Sequence, residues 1–169
     1  MVNLNEIEKK WQERWEREKI FEANPDKRKK FFITAAYPYV QAPQHIGHAR
    51  TYSVTDVYAR FIRMQGFNVL FPMAWHITGT PILAISKRIG ENDEKLIGIY
   101  RDLFKIPTDV IKTFTNPKKL INYFIEEIKE GMKSMGFSID WRRQFTTGDA
   151  CYSKFIEWQF DKLHKNGLI

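Results

Sequence analysis

The sequence predicts an α/β fold: an open, mainly parallel sheet with one helix ahead of it and further helices added. Two observations carry that expectation. Phe31-Phe32-Ile33-Thr34-Ala35-Ala36 is a short run, apolar on both faces and bounded by turn residues, as a buried parallel strand requires. It is followed by a helical stretch, Ile46 through Gln65, which Gly66 closes, and then by a second short apolar run, Phe67–Phe71. Strand, helix and strand in so few residues make a βαβ unit.

The other elements follow along the chain. Residues 4–21 read as a helix, with Leu4, Ile7, Trp11 and Trp15 at three-to-four spacing and charges elsewhere, so the tryptophan pair is expected to dock it. Asn24-Pro25-Asp26 is a turn, and Lys27–Lys30 is a short basic run. Tyr37–Gln44 carries two prolines and reads as a loop. Pro81–Gly90, Asp93–Phe104 and Pro117–Met135 read as helices, the last with Leu120, Phe124, Ile128 and Met132 on one stripe. Gly136–Thr147 is irregular and partly extended. Asp149–Lys165 is a final helix closed by Asn166-Gly167, whose stripe of Tyr152, Phe155, Ile156, Gln159 and Leu163 reads as core. The apolar Leu168-Ile169 looks like a strand or linker cut short. Residues 1–30 thus form a helix and linker ahead of one domain, 31–169.

Of the 169 residues, 43% are hydrophobic and 15% aromatic, enough for a core, which excludes a disordered chain. The net charge of +7 permits polyanion binding, RNA included, and equally suits a solvated basic surface. The single cysteine, Cys151, cannot form an internal disulfide, and no Cys/His cluster has zinc spacing. With no signal-like N-terminus and no apolar run of about 18 residues, a soluble cytoplasmic protein away from membranes is expected.

The chemistry concentrates in Tyr37–His48, between the first strand and the first helix of the βαβ unit, where open α/β sheets bind ligands. The helix start offers free N–H groups and partial positive charge to phosphate. His45 and His48, three apart, share one face of the first turn, and imidazoles donate hydrogen bonds to phosphate oxygens. Gly47, between them, lets a flat base approach the backbone. That grouping suits nucleotidyl transfer by positioning and charge stabilisation. Two surface histidines and a helix-start glycine are the alternative.

His45-Ile46-Gly47-His48 matches letter for letter the HIGH signature of the class I aminoacyl-tRNA synthetases. The preceding Ala35–Gln44, then Phe71–Ile82 and Gly136–Thr147, resemble the archaeal/eukaryotic leucyl branch and fall in its order. The resemblance covers most of the chain. It implies the first half of a Rossmann-like nucleotide-binding catalytic domain, ending before an editing insertion. It implies ATP, with Mg2+, as a substrate, held by Gln44, His45, Gly47 and His48. The two histidines would grip the phosphates while the leucine carboxylate attacks. Ala36, Tyr37, Tyr39 and His76 would line the amino-acid site, or Tyr37 and Tyr39 would pack the loop on the core. Arg142 and Arg143 would touch tRNA phosphate, or be a solvated basic pair. Many relatives hold an aspartate where His76 stands, so His76 either stays neutral there or serves otherwise.

The resemblance also implies what this sequence does not contain: a KMSKS loop, an editing domain and an anticodon-binding domain. The partners implied are tRNA(Leu), leucine, ATP and the remainder of a synthetase chain, with little activity from the fragment alone. The alternatives are a methionyl or other class I synthetase fragment, or a noncatalytic paralogue that binds ATP or RNA.

Overall fold

The computed structural model describes residues 2–169. In chain order the elements are α1 (Leu4–Arg17), β1 (Lys30–Phe32), α2 (Ile46–Met64), β2 (Asn68–Leu70), β3 (Ala74–Trp75), α3 (Thr80–Gly90), α4 (Glu94–Gly98), α5 (Thr108–Thr113), α6 (Pro117–Ser134), β4 (Phe145–Thr146) and α7 (Ala150–Lys165). They fall into two compact units. The first holds the residues up to Tyr37, Ala42–Met73 and Asn122–Gln144; the second holds Pro38–Gln41, Ala74–Ile121 and Phe145–Ile169.

In the first unit the expected βαβ forms. β1 and β2 run parallel, Lys30 beside Asn68 and Phe32 beside Leu70, with α2 between them in sequence. The strand is shorter than the apolar run 31–36. The N–H of Ile33 still reaches the Leu70 carbonyl at 3.0 Å. The next parallel bond would need an N–H from residue 72, and Pro72 has none. Nor is β1 buried on both faces: Phe31 is half-buried and Phe32 is 59% exposed, whereas Asn68 and Val69 of β2 are buried.

Buried polar groups fasten α2 to the segment after α6. Asp56 accepts from the Ser138 N–H and from Arg60 Nε at 2.7 Å. Arg60 also donates to the Gly136 carbonyl, and Arg63 to the Ser138 carbonyl at 2.9 Å. Burial pulls the Arg63 pKa down to about 10. The α6 stripe behaves as its spacing predicts: Leu120, Phe124, Ile128 and Met132 are all buried. α1 is a correction. It buries no residue and ends at Arg17, beyond which Lys19 takes a φ of 54°. Only Trp15 of the pair docks, edge-on to Phe21 at 5.6 Å and under the Arg60 guanidinium; Trp11 stays 41% exposed.

In the second unit β3 and β4 are parallel, Ala74 beside Phe145 and Trp75 beside Thr146. A further parallel bridge joins Tyr39 to His76, whose N–H meets the Pro38 carbonyl at 2.9 Å. The buried Thr147 hydroxyl accepts from the Ile77 N–H at 3.0 Å. α3 opens on Gly79 at φ 101° with Pro81 in its first turn, as Pro favours. The helix expected over 93–104 is present as α4 capped by Asp93, continuing into a π-helical turn, Ile99–Leu103. α5 was not expected.

α7 has the predicted span but not the predicted environment. Tyr152 stacks on Phe145 at 5.9 Å and Leu163 is half-buried, but Phe155 is 57% exposed and Ile156 44%. Trp158 and Phe160 are also exposed. The expectation of a core stripe is therefore corrected: among the described residues nothing covers most of it.

Candidate functional site

His45 is the N-cap of α2, in extended backbone conformation, and the start of the helix is closed by imidazoles rather than hydroxyl and carboxylate groups. The His45 Nδ1 accepts from the Gly47 N–H at 3.0 Å. The His48 Nδ1 accepts from the His45 N–H at 3.3 Å. The two rings lie 3.9 Å apart between centroids. The expectation that the helix start offers free N–H groups is narrowed, because the histidines themselves occupy those of His45 and Gly47. Burial, and then the neighbouring His45, push the His48 pKa below its ordinary value.

Gly47 has a nearer reason to be glycine than the approach of a base. A Cβ there would lie 2.8 Å from His45 Cε1 and 3.0 Å from its Nδ1, closer than such atoms pack. Beside the pair, Gln44, His45, Ile46, Tyr52 and Phe137 help line a cavity of about 270 Å³. The Gln44 Oε1 is buried without a hydrogen-bond partner among the described residues. A buried acceptor left open in this way is costly unless something else fills it. The Ala36 carbonyl is already used: it accepts from the Tyr52 hydroxyl at 3.1 Å, and burial pushes the Tyr52 pKa up to about 12.

In the second unit the structure brings Tyr39 and His76 together. Their rings stack at 4.0 Å with 28° between planes, on the backbone bridge that joins them. Tyr39 is 41% exposed, so part of the pair meets solvent. Tyr37 is half-buried and belongs to the first unit. Sequence reasoning passed over Gln41, whose Oε1 is buried and unpartnered among the described residues and whose carbonyl accepts from the Tyr100 hydroxyl at 2.6 Å. Its place between Pro38 and Pro43, in the same loop as Gln44, was the available signal.

Arg142 and Arg143 differ. Arg142 is committed internally: its guanidinium meets Asp140 at 2.9 and 2.8 Å, Asn24 at 3.0 Å and Glu22 at 3.1 Å. Burial alone would raise the Asp140 pKa, but hydrogen bonds from Arg142 and from the Ala23 N–H outweigh it and hold the carboxyl below its ordinary value. Arg143 is looser, 3.4 Å from the Ala23 carbonyl and 48% exposed at its side chain. The expectation of a basic pair for phosphate thus narrows to Arg143. Among the described residues no three His, Cys, Asp or Glu side chains are grouped to hold a metal ion, and no helix is long and apolar enough to cross a membrane.

The family model described as tRNA synthetases class I (I, L, M and V) matches residues 10–169. Leucine--tRNA ligase 2 of Metallosphaera sedula is 53% identical over 166 residues, covering 98% of this chain and 18% of that protein. Leucine--tRNA ligase of Methanocaldococcus jannaschii is 53% identical over 169 residues, covering 100% of this chain and 18% of its own length. The chain thus spans 18% of these curated relatives. Among solved structures, the ternary complex of Agrobacterium radiobacter K84 agnB2 LeuRS with tRNA and LeuAMS superposes with a TM-score of 0.72 at 28% identity, over 95% of this chain and 18% of that one.

Proposed function

The chain belongs to the class I tRNA synthetases, and we propose that it supplies the ATP-binding HIGH half of a leucine--tRNA ligase active site. The observation that carries this is the imidazole pair at the start of α2, beside a cavity lined by Gln44, whose Oε1 lacks a partner among the described residues. His45 and His48 bind the phosphates of ATP. Gln44 and Gly47 lie against the nucleoside. The leucine carboxylate oxygen forms a bond to the α-phosphorus as the bond to the departing pyrophosphate breaks, and the leucyl group then passes to tRNA(Leu). Stabilising the charge that develops on the phosphates is the main contribution such donors make. Mg2+ bound with the ATP as part of the substrate would neutralise some of the charge on its phosphates.

Ala36, Tyr37, Tyr39 and His76 serve the amino acid. The stacked Tyr39–His76 pair offers a flat, partly apolar wall that suits a branched aliphatic side chain. Arg143 meets tRNA phosphate; in support, its side chain is 48% exposed, while Arg142 is held by Asp140, Asn24 and Glu22. Residues 31–169 are the N-terminal half of the catalytic domain, behind a helix and linker, 1–30. The KMSKS half, the editing domain and the anticodon-binding domain come from the remainder of a longer, cytoplasmic synthetase. Supporting leucine over other amino acids are the names carried by relatives at 52–54% identity.

The test is ATP–pyrophosphate exchange by the full-length enzyme with each amino acid in turn. Leucine alone is expected to drive exchange. Exchange driven by methionine instead would move the assignment to another class I specificity, and no exchange with any amino acid would favour a noncatalytic paralogue.

A further inference from the structure

We propose that Gly47 is a positioning residue, its missing Cβ leaving room for the His45 imidazole, and that the resulting cap holds both histidines as the Nε2–H tautomer with that donor turned away from the helix. The inference rests on reading the pair as an ATP-phosphate site and adds the protonation state in which the site works.

A neutral imidazole carries one N–H and one bare nitrogen. In both rings Nδ1 accepts a backbone N–H, from Gly47 in one case and from His45 in the other. A nitrogen that accepts a hydrogen bond carries no proton, so the proton of each ring sits on Nε2. Nε2 lies across the ring from Nδ1, and among the described residues neither Nε2 has a protein partner. The start of α2 therefore carries two N–H donors on rings whose centroids lie 3.9 Å apart. Protonating either ring at Nδ1 would cost it the cap bond. The other titratable groups lining the adjoining cavity are Tyr52 and Glu127, and among the described residues neither makes a hydrogen bond or ion pair with the two rings.

Gly47 makes the arrangement possible. With a Cβ at 2.8 Å from Cε1 and 3.0 Å from Nδ1, the His45 ring would have to shift from its place, and the shift would strain the cap bond made by that Nδ1. The pair then contributes directed hydrogen bonds rather than positive charge, so neutralisation of the triphosphate falls to groups outside it.

The test uses full-length enzyme labelled with 15N-histidine, with the His45 and His48 signals assigned by loss in His45→Asn and His48→Asn. At neutral pH both rings are expected to show a protonated Nε2 and a bare Nδ1. A protonated Nδ1, or a charged ring, in either residue would overturn the inference. Gly47→Ala is expected to mix the His45 tautomers and to lower kcat for pyrophosphate exchange about a hundredfold, with a smaller change in the KM for ATP, as a misplacement near 1 Å does. Unchanged His45 signals in that variant would refute the role given to Gly47. If the tautomers are as stated but His45→Asn exchanges at the wild-type rate, the ATP-site reading fails while the tautomer inference stands.

Discussion

Asp140→Ala removes the buried anchor of the segment that leads to Arg142 and Arg143. Asp140 is 1% exposed and accepts from the Ala23 N–H at 3.0 Å, the Arg142 N–H at 3.3 Å and the Arg142 guanidinium at 2.9 and 2.8 Å. Hydrogen bonds to a charged group contribute about 1.5–3 kcal/mol each in isolation. They do not add here, because Arg142 is 39% exposed at its side chain and its charge can rehydrate. The unpaired Ala23 N–H and the lost anchor leave a net cost of about 2–3 kcal/mol. Local opening around Ala23 should then become about 30- to 150-fold more frequent, at tenfold per 1.36 kcal/mol. Hydrogen exchange read by mass spectrometry on peptides spanning residues 20–26 of the full-length enzyme measures it. The pH dependence has a definite sign. The folded carboxyl lies below its ordinary value, so its stabilisation is present above the unfolded pKa of about 3.9 and lost as pH falls through the still lower folded pKa. The difference between variant and wild type should be flat from pH 5 to 7. Unchanged exchange near residue 23, or a difference that titrates away between pH 5 and 7, would refute this reasoning.

Three further outcomes are expected. Phe124→Ala, at a fully buried position on α6, should lower the unfolding free energy of the chain by about 3–5 kcal/mol, read from the urea midpoint. Tyr39→Ala removes the ring that backs His76 and should raise the KM for leucine in full-length enzyme while leaving the KM for ATP nearly unchanged; the reverse pattern would remove the pair from the amino-acid site. Residues 1–169 alone should leucylate cognate tRNA at least two to three orders of magnitude more slowly than the full-length enzyme, since the lysines expected to hold the leaving pyrophosphate lie outside it; comparable turnover would show that the missing half is dispensable.

What was legible in the sequence was what has a period or a stop signal. α2, α3, α6 and α7 announce themselves by three-to-four spacing, and Gly66 and Gly167 close two of them at φ 84° and 67°. An apolar run shows its own extent but nothing of its partner, and Pro72, two residues beyond β2, ends the ladder that β1 would otherwise continue. β3 and β4, two residues each, are too short to show alternation, and α5 is too short and too β-branched to show a stripe. The apolar stripe of α7 was read as core because spacing reports that a face is apolar, not what covers it. At the site, the histidines and glycine were visible as residue types. Their reciprocal cap was not, because helix-start preferences favour Ser, Thr, Asp and Asn, and an imidazole takes that place only through the local geometry of the folded loop. The internal commitment of Arg142 was equally hidden, since Glu22 and Asn24 lie far from it in sequence.

The proposed function requires His45 and His48 to act on ATP as the adenylate forms. The most direct measurement is the rate of leucine-dependent ATP–pyrophosphate exchange, alongside leucine affinity, in full-length enzyme carrying His45→Ala or His48→Ala. Each change should lower the rate by about two to three orders of magnitude and leave leucine affinity within a few-fold, the mark of an interaction made mainly in the transition state. Leucine affinity that falls while the rate holds would contradict it.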